Sequence, residues 1–322
     1  MINKLSMPRV QAFDLLRGYL LLVILVDHLY KFPGFFDVFT GRGRLWVSAA
    51  ECFFLISGVM VGLVRGGEMG LGRARQVYQK ILQRALAIYI WSVSLTLFYT
   101  FLGNGIKQYV PVKPEIIGDA SFWQVVWSTI TLRYSYGWAD FLNYYAVFLL
   151  GAILVLFLLN KGKALVVLFL SIGLWFLRGN NFYFAWQILF VVGIVIGYLF
   201  RELEKKFIAL SSIFRFILCA VFSFVTIGTL IVSVGIVYFS GFATALPLLN
   251  IVGENADVLF DKMTLAPGRL ILAMVWFTTF FVFIRRYENF FLTHLAWLLL
   301  PIVRNSLSIY VFQSVLIYAL YP

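Results

Sequence analysis

The chain has 322 residues, of which 62% are hydrophobic and only 12% charged, and its mean hydropathy is +0.93. A water-soluble globule could not hide that much apolar surface, so the composition excludes one and makes the lipid bilayer the solvent. The net charge of +12 does not point to nucleic acid, because the basic residues are spread among short connections between apolar runs, as in membrane proteins.

Apolar runs of about 17 to 25 residues can cross a hydrocarbon core. They predict an all-α, polytopic membrane helix bundle with about ten transmembrane helices. These fall at residues 12–31, 45–64, 81–103, 139–159, 163–178, 183–200, 213–239, 268–284, 289–303 and 305–321, within a single domain covering 1–322. The ninth segment is short and contains Pro301, which leaves nine as the alternative count. The first segment does not read as a cleaved leader. Its clean apolar run extends only from Gly18 to Val26, and Asp14, Arg17, Asp27 and His28 interrupt it. Placing the N-terminus in the cytoplasm collects 15 basic residues there, among them Lys4, Arg9, Lys161, Lys163, Arg201 and Arg285, against about nine on the opposite side.

Two connecting segments, 104–138 and 240–267, are long enough to carry function, and this topology makes both extracytoplasmic. The first holds Trp123, Trp127, Tyr134, Tyr136 and Trp138, which suit either stacking on sugar faces or anchoring at headgroup level. Cys52 and Cys219 lie in apolar runs as small core residues. His28 and His294 are too few and too far apart for a local metal motif, so no metal site is expected. His294, alone in the ninth segment, suits an interhelical hydrogen bond.

Charged groups inside a membrane helix are costly unless they meet a partner or a polar cavity, which marks them as functional candidates. In FDLLRGYLLLVILVDH, Asp14 and Arg17 are three apart and share a helix face. Arg17 and His28 are eleven apart, which brings them within roughly 20° of one direction and separates them by about 16 Å along the axis. Histidine suits proton transfer near neutral pH, and arginine grips phosphate or carboxylate with a planar fork. The alternative is a polar cluster that holds helices together. In the next segment, ECFFLISG, Glu51 lies at a depth similar to His28 and could polarise its imidazole. Ser57 and Gly58 lie deeper, where packing competes with a catalytic role.

The stretch RGYLLLVILVDH followed by FFLISG resembles the signature of the acyltransferase family 3 superfamily. DFLNYYAVFLLGA (140–152), FAWQILFVVGIVIG (184–197), DKMTLAPGRLILA (261–273) and RNSLSIYVFQS (304–314) are similar to its OpgC family. The resemblance implies a multi-pass enzyme of the cytoplasmic (inner) membrane with no permanently bound cofactor. It would move an acyl group, succinyl or acetyl, from cytosolic acyl-CoA (succinyl-CoA or acetyl-CoA) to a hydroxyl of an extracytoplasmic glycan such as a periplasmic glucan. It makes His28 the catalytic histidine and Arg17 the arginine of the motif; Glu51 joins His28 as a catalytic candidate on its depth alone. Arg17, paired with Asp14, and the basic loop of Arg65, Arg73, Arg75 and Arg84 would then serve the acyl-CoA phosphates, which makes all of them cofactor-binding candidates. Arg42 and Arg44 suit a carboxylated acyl group, and Asp140, Trp186, Gln187, Lys262, Arg269, Asn305 and Ser306 match the family's polar positions as substrate-binding candidates. The rival reading is a transporter or flippase for a glycolipid or small anion, although no internal duplication of the kind many transporters show is visible.

Overall fold

A computed structural model of the chain describes residues 10–28, 40–106, 121–137, 139–179, 181–239 and 255–320. Lys4, Arg9 and Trp138, with much of the segments 104–138 and 240–267, lie outside the described residues. All regular structure among the described residues is helical. The helices are α1 Gln11–His28, α2 Ala49–Gly70, α3 Ala74–Ile106, α4 Phe122–Ile130, α5 Asp140–Asn160, α6 Ala164–Phe176 and α7 Phe182–Tyr198. They continue as α8 Phe200–Ala209, α9 Ser212–Tyr238, α10 Ala256–Leu259, α11 Pro267–Arg286, α12 Glu288–His294, α13 Ala296–Arg304 and α14 Ser306–Leu320. A 3-10 turn, Gly41–Gly43, precedes α2.

Five of these helices, α2, α3, α5, α9 and α11, are long and apolar enough to cross a membrane. Two bent pairs qualify jointly: α7 with α8, at 67°, and α13 with α14, at 90°. Among the described residues, length and composition therefore support five to seven spans; the expected count of about ten is not confirmed, and the segments that fall short do so for physical causes. Helix α1 has 18 residues but carries Asp14, Arg17 and Asp27. Helix α6 has 13 residues, about 20 Å of helix against a core of about 30 Å. The segment expected at 289–303 breaks into the seven-residue α12 and the nine-residue α13, with Pro301 inside the latter.

The chain falls into two compact units, residues 1–72 with 155–304 and residues 73–154 with 305–322. In the first unit the most extensive helix pairing is α2 with α7. Gly58 and Gly62 stand one turn apart on α2, and Gly193 and Gly197 one turn apart on α7. A β-carbon at Gly58 would meet the Phe190 carbonyl, and one at Gly62 the Ile194 carbonyl. In return, β-carbons at Gly193 and Gly197 would meet the carbonyls of Leu55 and Val59. The helices thus touch backbone to backbone, the arrangement that small residues at four-residue spacing permit in a bilayer. Around this seam α1 packs on α2, α11 and α13, α6 packs on α7, and α9 packs on α11.

The second unit is organised by α3, which packs on α4 and α14. Its apolar interior is punctuated by satisfied hydroxyls. Tyr99 Oη lies 2.6 Å from Ser314 Oγ, Tyr318 Oη donates to the Tyr99 carbonyl at 3.3 Å, and the two tyrosine rings stack at 4.7 Å. Ser92 Oγ is shared between the Ala139 carbonyl at 2.9 Å and Asn143 Oδ1 at 2.6 Å. In a low-dielectric interior each such group needs a partner, and these bonds hold α3 to the start of α5 and to α14.

The seam makes a specific prediction for stability in detergent. Gly62→Ala and Gly197→Ala should each destabilise the protein by about 1–3 kcal/mol, because the added carbon meets backbone that cannot yield. Gly151→Ala and Gly173→Ala, where nothing lies within 4 Å of the added carbon, should leave the thermal unfolding midpoint unchanged or slightly raised.

Candidate functional site

The start of α2 is fixed by a capping box. Ser48 is the N-cap, and Glu51, three residues on, accepts from the Ser48 backbone N–H at 2.8 Å and from its hydroxyl through Oε2. The other carboxylate oxygen, Oε1, accepts from Arg269 Nε of α11 at 2.5 Å. Both side chains are sealed, with Glu51 0% and Arg269 4% exposed. The guanidinium also donates from Nη1 to the Phe260 carbonyl at 2.9 Å and from Nη2 to the Leu45 carbonyl at 3.2 Å. Arg269 therefore joins three segments: the first turn of α2, the chain entering it, and the loop entering α11. Trp46, stacked on Phe260 at 4.1 Å, and the bond from the Trp46 N–H to Ser233 Oγ of α9 at 2.9 Å reinforce the junction.

The loop 260–266 is held from several sides. Asp261 accepts from the Thr264 N–H at 2.6 Å and from its hydroxyl at 2.5 Å. Burial pushes the Asp261 carboxyl up, but these bonds outweigh it and hold the group below its ordinary value. Trp186 Nε1 of α7 donates to the Lys262 carbonyl, and Trp175 Nε1 of α6 donates to the Leu265 carbonyl, each at 3.1 Å. Leu265, fully buried, adopts φ 49°, a left-handed conformation that only such bracing sustains. Pro267 then opens α11 at a position where its missing N–H costs nothing.

Lys262 projects from this loop toward the 3-10 turn. Its Nζ lies 3.3 Å from where a Gly43 β-carbon would stand. In that turn Arg42 has φ 48°, and Asp27 near the end of α1 meets the Arg42 backbone N–H and lies within electrostatic range of Lys262 and His28. His28 is the last residue of α1 and is exposed, with Nδ1 2.6 Å from the Ile24 carbonyl. One neighbourhood thus gathers His28, Asp27, Arg42, Lys262 and, through the loop, the Glu51–Arg269 pair. Of the expected residues, Glu51 has both oxygens engaged by Ser48 and Arg269, and His28 bonds within its own helix. Arg44 is exposed beside the turn.

The remaining expected residues distribute as follows. Asp14 is 2% exposed in the first turn of α1, and the Arg17 guanidinium lies 5.9 Å from the Phe53 ring centre, bringing it to the second turn of α2. Trp186 is buried against Phe54 and Phe182 and holds the Lys262 loop. Gln187 is tied to Ser171 of α6 by a pair of bonds at 2.7 and 2.8 Å. Arg65 pairs with Glu68 at 3.0 Å in the first unit, and Arg73, Arg75 and Arg84 are exposed in the second. Also in the second unit, Asp140 opens α5, where an acidic group suits the helix dipole, and lies within electrostatic range of Tyr310. Asn305 and Ser306 stand at the start of α14. His294 bonds the Phe290 carbonyl at 2.9 Å within α12, not a second helix. Ser57 is buried, and its hydroxyl has no hydrogen-bond partner among the described residues. The sequence reading missed Ser48, Trp175, Asp261 and Thr264. Ser48 was visible as the start of an S-x-x-E box, whereas the tryptophan pins have no local signature.

A body that is all-helical among the described residues, with several apolar helices of bilayer length, defines a multi-span membrane protein, and the sealed ion pair and the exposed histidine mark its candidate site. The chain belongs to the OpgC protein family, which it matches over residues 9–322. Membership suggests a membrane acyltransferase that modifies glucan. No curated protein and no solved structure matches the chain.

Breaking the sealed pair from one side strands a buried charge, so Glu51→Leu or Arg269→Met alone should destabilise the fold by about 3–5 kcal/mol. The double variant should recover part of that loss, since no charge is left unpaired. A double-mutant cycle on unfolding in detergent measures the coupling.

Proposed function

We propose that the protein is a membrane O-acyltransferase that moves an acyl group, succinyl or acetyl, from cytosolic acyl-CoA to a hydroxyl of an extracytoplasmic glycan such as a periplasmic glucan. It lies in the inner membrane with its N-terminus in the cytoplasm. Family membership supports the class of reaction, and the observation that carries the chemistry is the bond from His28 Nδ1 to the Ile24 carbonyl. A carbonyl only accepts, so Nδ1 is the donor, and the form of the ring that can take up a proton has its lone pair on Nε2. That nitrogen stands at the exposed end of α1, ready to act as a base.

In this reading Nε2 takes the proton of the sugar hydroxyl as its oxygen attacks the thioester carbon. The new C–O bond forms, the C–S bond breaks, and the CoA thiolate leaves with the proton returned from His28. Lys262, held by its braced loop near Asp27, supplies positive charge for the developing oxyanion. Glu51 acts at one remove, by fixing Arg269 and with it the Lys262 loop. Arg42 and Arg44 bound the same neighbourhood and suit a carboxylated acyl group, while Arg17, Arg65, Arg73, Arg75 and Arg84 are candidates for the CoA phosphates.

The test supplies labelled succinyl-CoA or acetyl-CoA and cell-envelope glucan to the purified protein in detergent. Wild type should transfer label to glycan. His28→Ala and His28→Gln should lose roughly 10²- to 10⁴-fold in rate while unfolding at the wild-type temperature. Folded wild type that labels no glycan with either donor, or a His28→Gln variant with full activity, would overturn the reading.

A further inference from the structure

A groove of about 600 Å³ opens between α9 and α11 and shares no residue with the site above. Its walls run from Leu218 to Leu230 on α9 and from Thr278 to Arg286 on α11, with Tyr287 beside Arg286. Twelve residues of helix span about 18 Å, close to the roughly 15 Å depth of one leaflet of a hydrocarbon core. Spread over that length, the volume gives a cross-section of about 33 Å², some 6–7 Å across. A helix about 10–12 Å wide does not fit, but a single hydrocarbon chain does.

The chemistry of the lining agrees. Three wall hydroxyls are already engaged: Thr226 and Thr279 lie 2.8 Å apart, Thr279 also bonds the Val275 carbonyl, and Thr278 bonds the Met274 carbonyl. They ask nothing of a ligand, and with Leu218, Phe222, Ile227, Leu230, Val282 and Phe283 forming most of the remaining wall the groove suits an apolar occupant. Only 11% of the apolar window of α9 is buried within the protein, so this helix faces the bilayer. At the groove's end stand two adjacent arginines in different states. Arg285 is held by Glu288 at 2.6 Å, whereas Arg286 is exposed and has no ion-pair partner among the described residues.

We propose that the groove is a phospholipid site. One acyl chain of an anionic phospholipid lies between α9 and α11, its phosphate meets the Arg286 guanidinium, and Tyr287 sits at headgroup level. The positive-inside distribution assigns this end to the cytoplasmic leaflet, whose anionic lipids would supply the ligand. The site does not depend on the acyl-transfer reading.

The experiment is native mass spectrometry of the delipidated full-length protein in detergent, titrated with phosphatidylglycerol or with phosphatidylcholine of identical chains. Wild type should retain phosphatidylglycerol about tenfold more tightly than phosphatidylcholine. Arg286→Gln should abolish that preference, Arg285→Gln should keep it, and Ser223→Trp, which fills the groove, should weaken both lipids. Thermal unfolding provides the second readout: phosphatidylglycerol should raise the midpoint of wild type and Arg285→Gln but not of Arg286→Gln. Equal binding of the two lipids by wild type, or unchanged phosphatidylglycerol preference in Arg286→Gln, would overturn the site and leave only unspecific annular lipid. A Ser223→Trp variant that folds and binds as wild type would place the acyl chain elsewhere and overturn it as well.

Discussion

Arginine cannot shed its proton inside a protein, so a buried guanidinium must be given both a counter-charge and acceptors for its fork. Arg269 receives the Glu51 carboxylate and the carbonyls of Phe260 and Leu45, all from within its own unit. Removing ions from water costs several kcal/mol each, and a pair of this kind adds little net stability compared with apolar residues of similar volume. What it contributes is placement. Two stretches remote in sequence, 45–51 and 260–269, have to meet at one point, because together they supply the acceptors that the guanidinium cannot do without.

Irregular backbone at membrane depth is tolerated only where protein buries it or a polar cavity borders it. The chain entering α2 and the loop entering α11 are both irregular, and both converge on Arg269. The two tryptophan N–H groups satisfy loop carbonyls from α6 and α7, and Asp261 closes the loop on Thr264. A segment so thoroughly braced holds its one basic side chain, Lys262, in a defined direction toward the Gly41–Gly43 turn. The local bond of His28 works similarly on a smaller scale, because it selects a tautomer without help from any other helix.

The spans with uninterrupted apolar windows, α2, α3, α5, α9 and α11, were legible because a long hydrophobic stretch has one meaning in lipid. The ionisable residues of α1 were legible as candidates for the same reason, and the family resemblance followed from ordered motifs along the whole chain. The partner of Glu51 was not legible. It lies 218 residues away, and a single sequence reports helix period but not which helix faces which. Depth alone suggested His28, whereas a fixed charge at Arg269 offered the stronger electrostatic match. The count of about ten is not confirmed, because helices α6, α12 and α13 fall where spans were expected but are too short to cross a bilayer alone.

A seam without side chains has a consequence for permeability. Between α2 and α7 the backbones approach so closely that an added β-carbon would stand 2.0–2.2 Å from the facing carbonyl oxygens, closer than the roughly 2.8 Å at which a water oxygen can sit, so there is no room for water at these positions. The Glu51–Arg269 pair sits at one end of α2, where ionised groups could otherwise recruit a file of water along the helix. The glycine contact denies that file a path on the α7 side. Charged residues can then stand at this end of α2 without a file of water forming along that face.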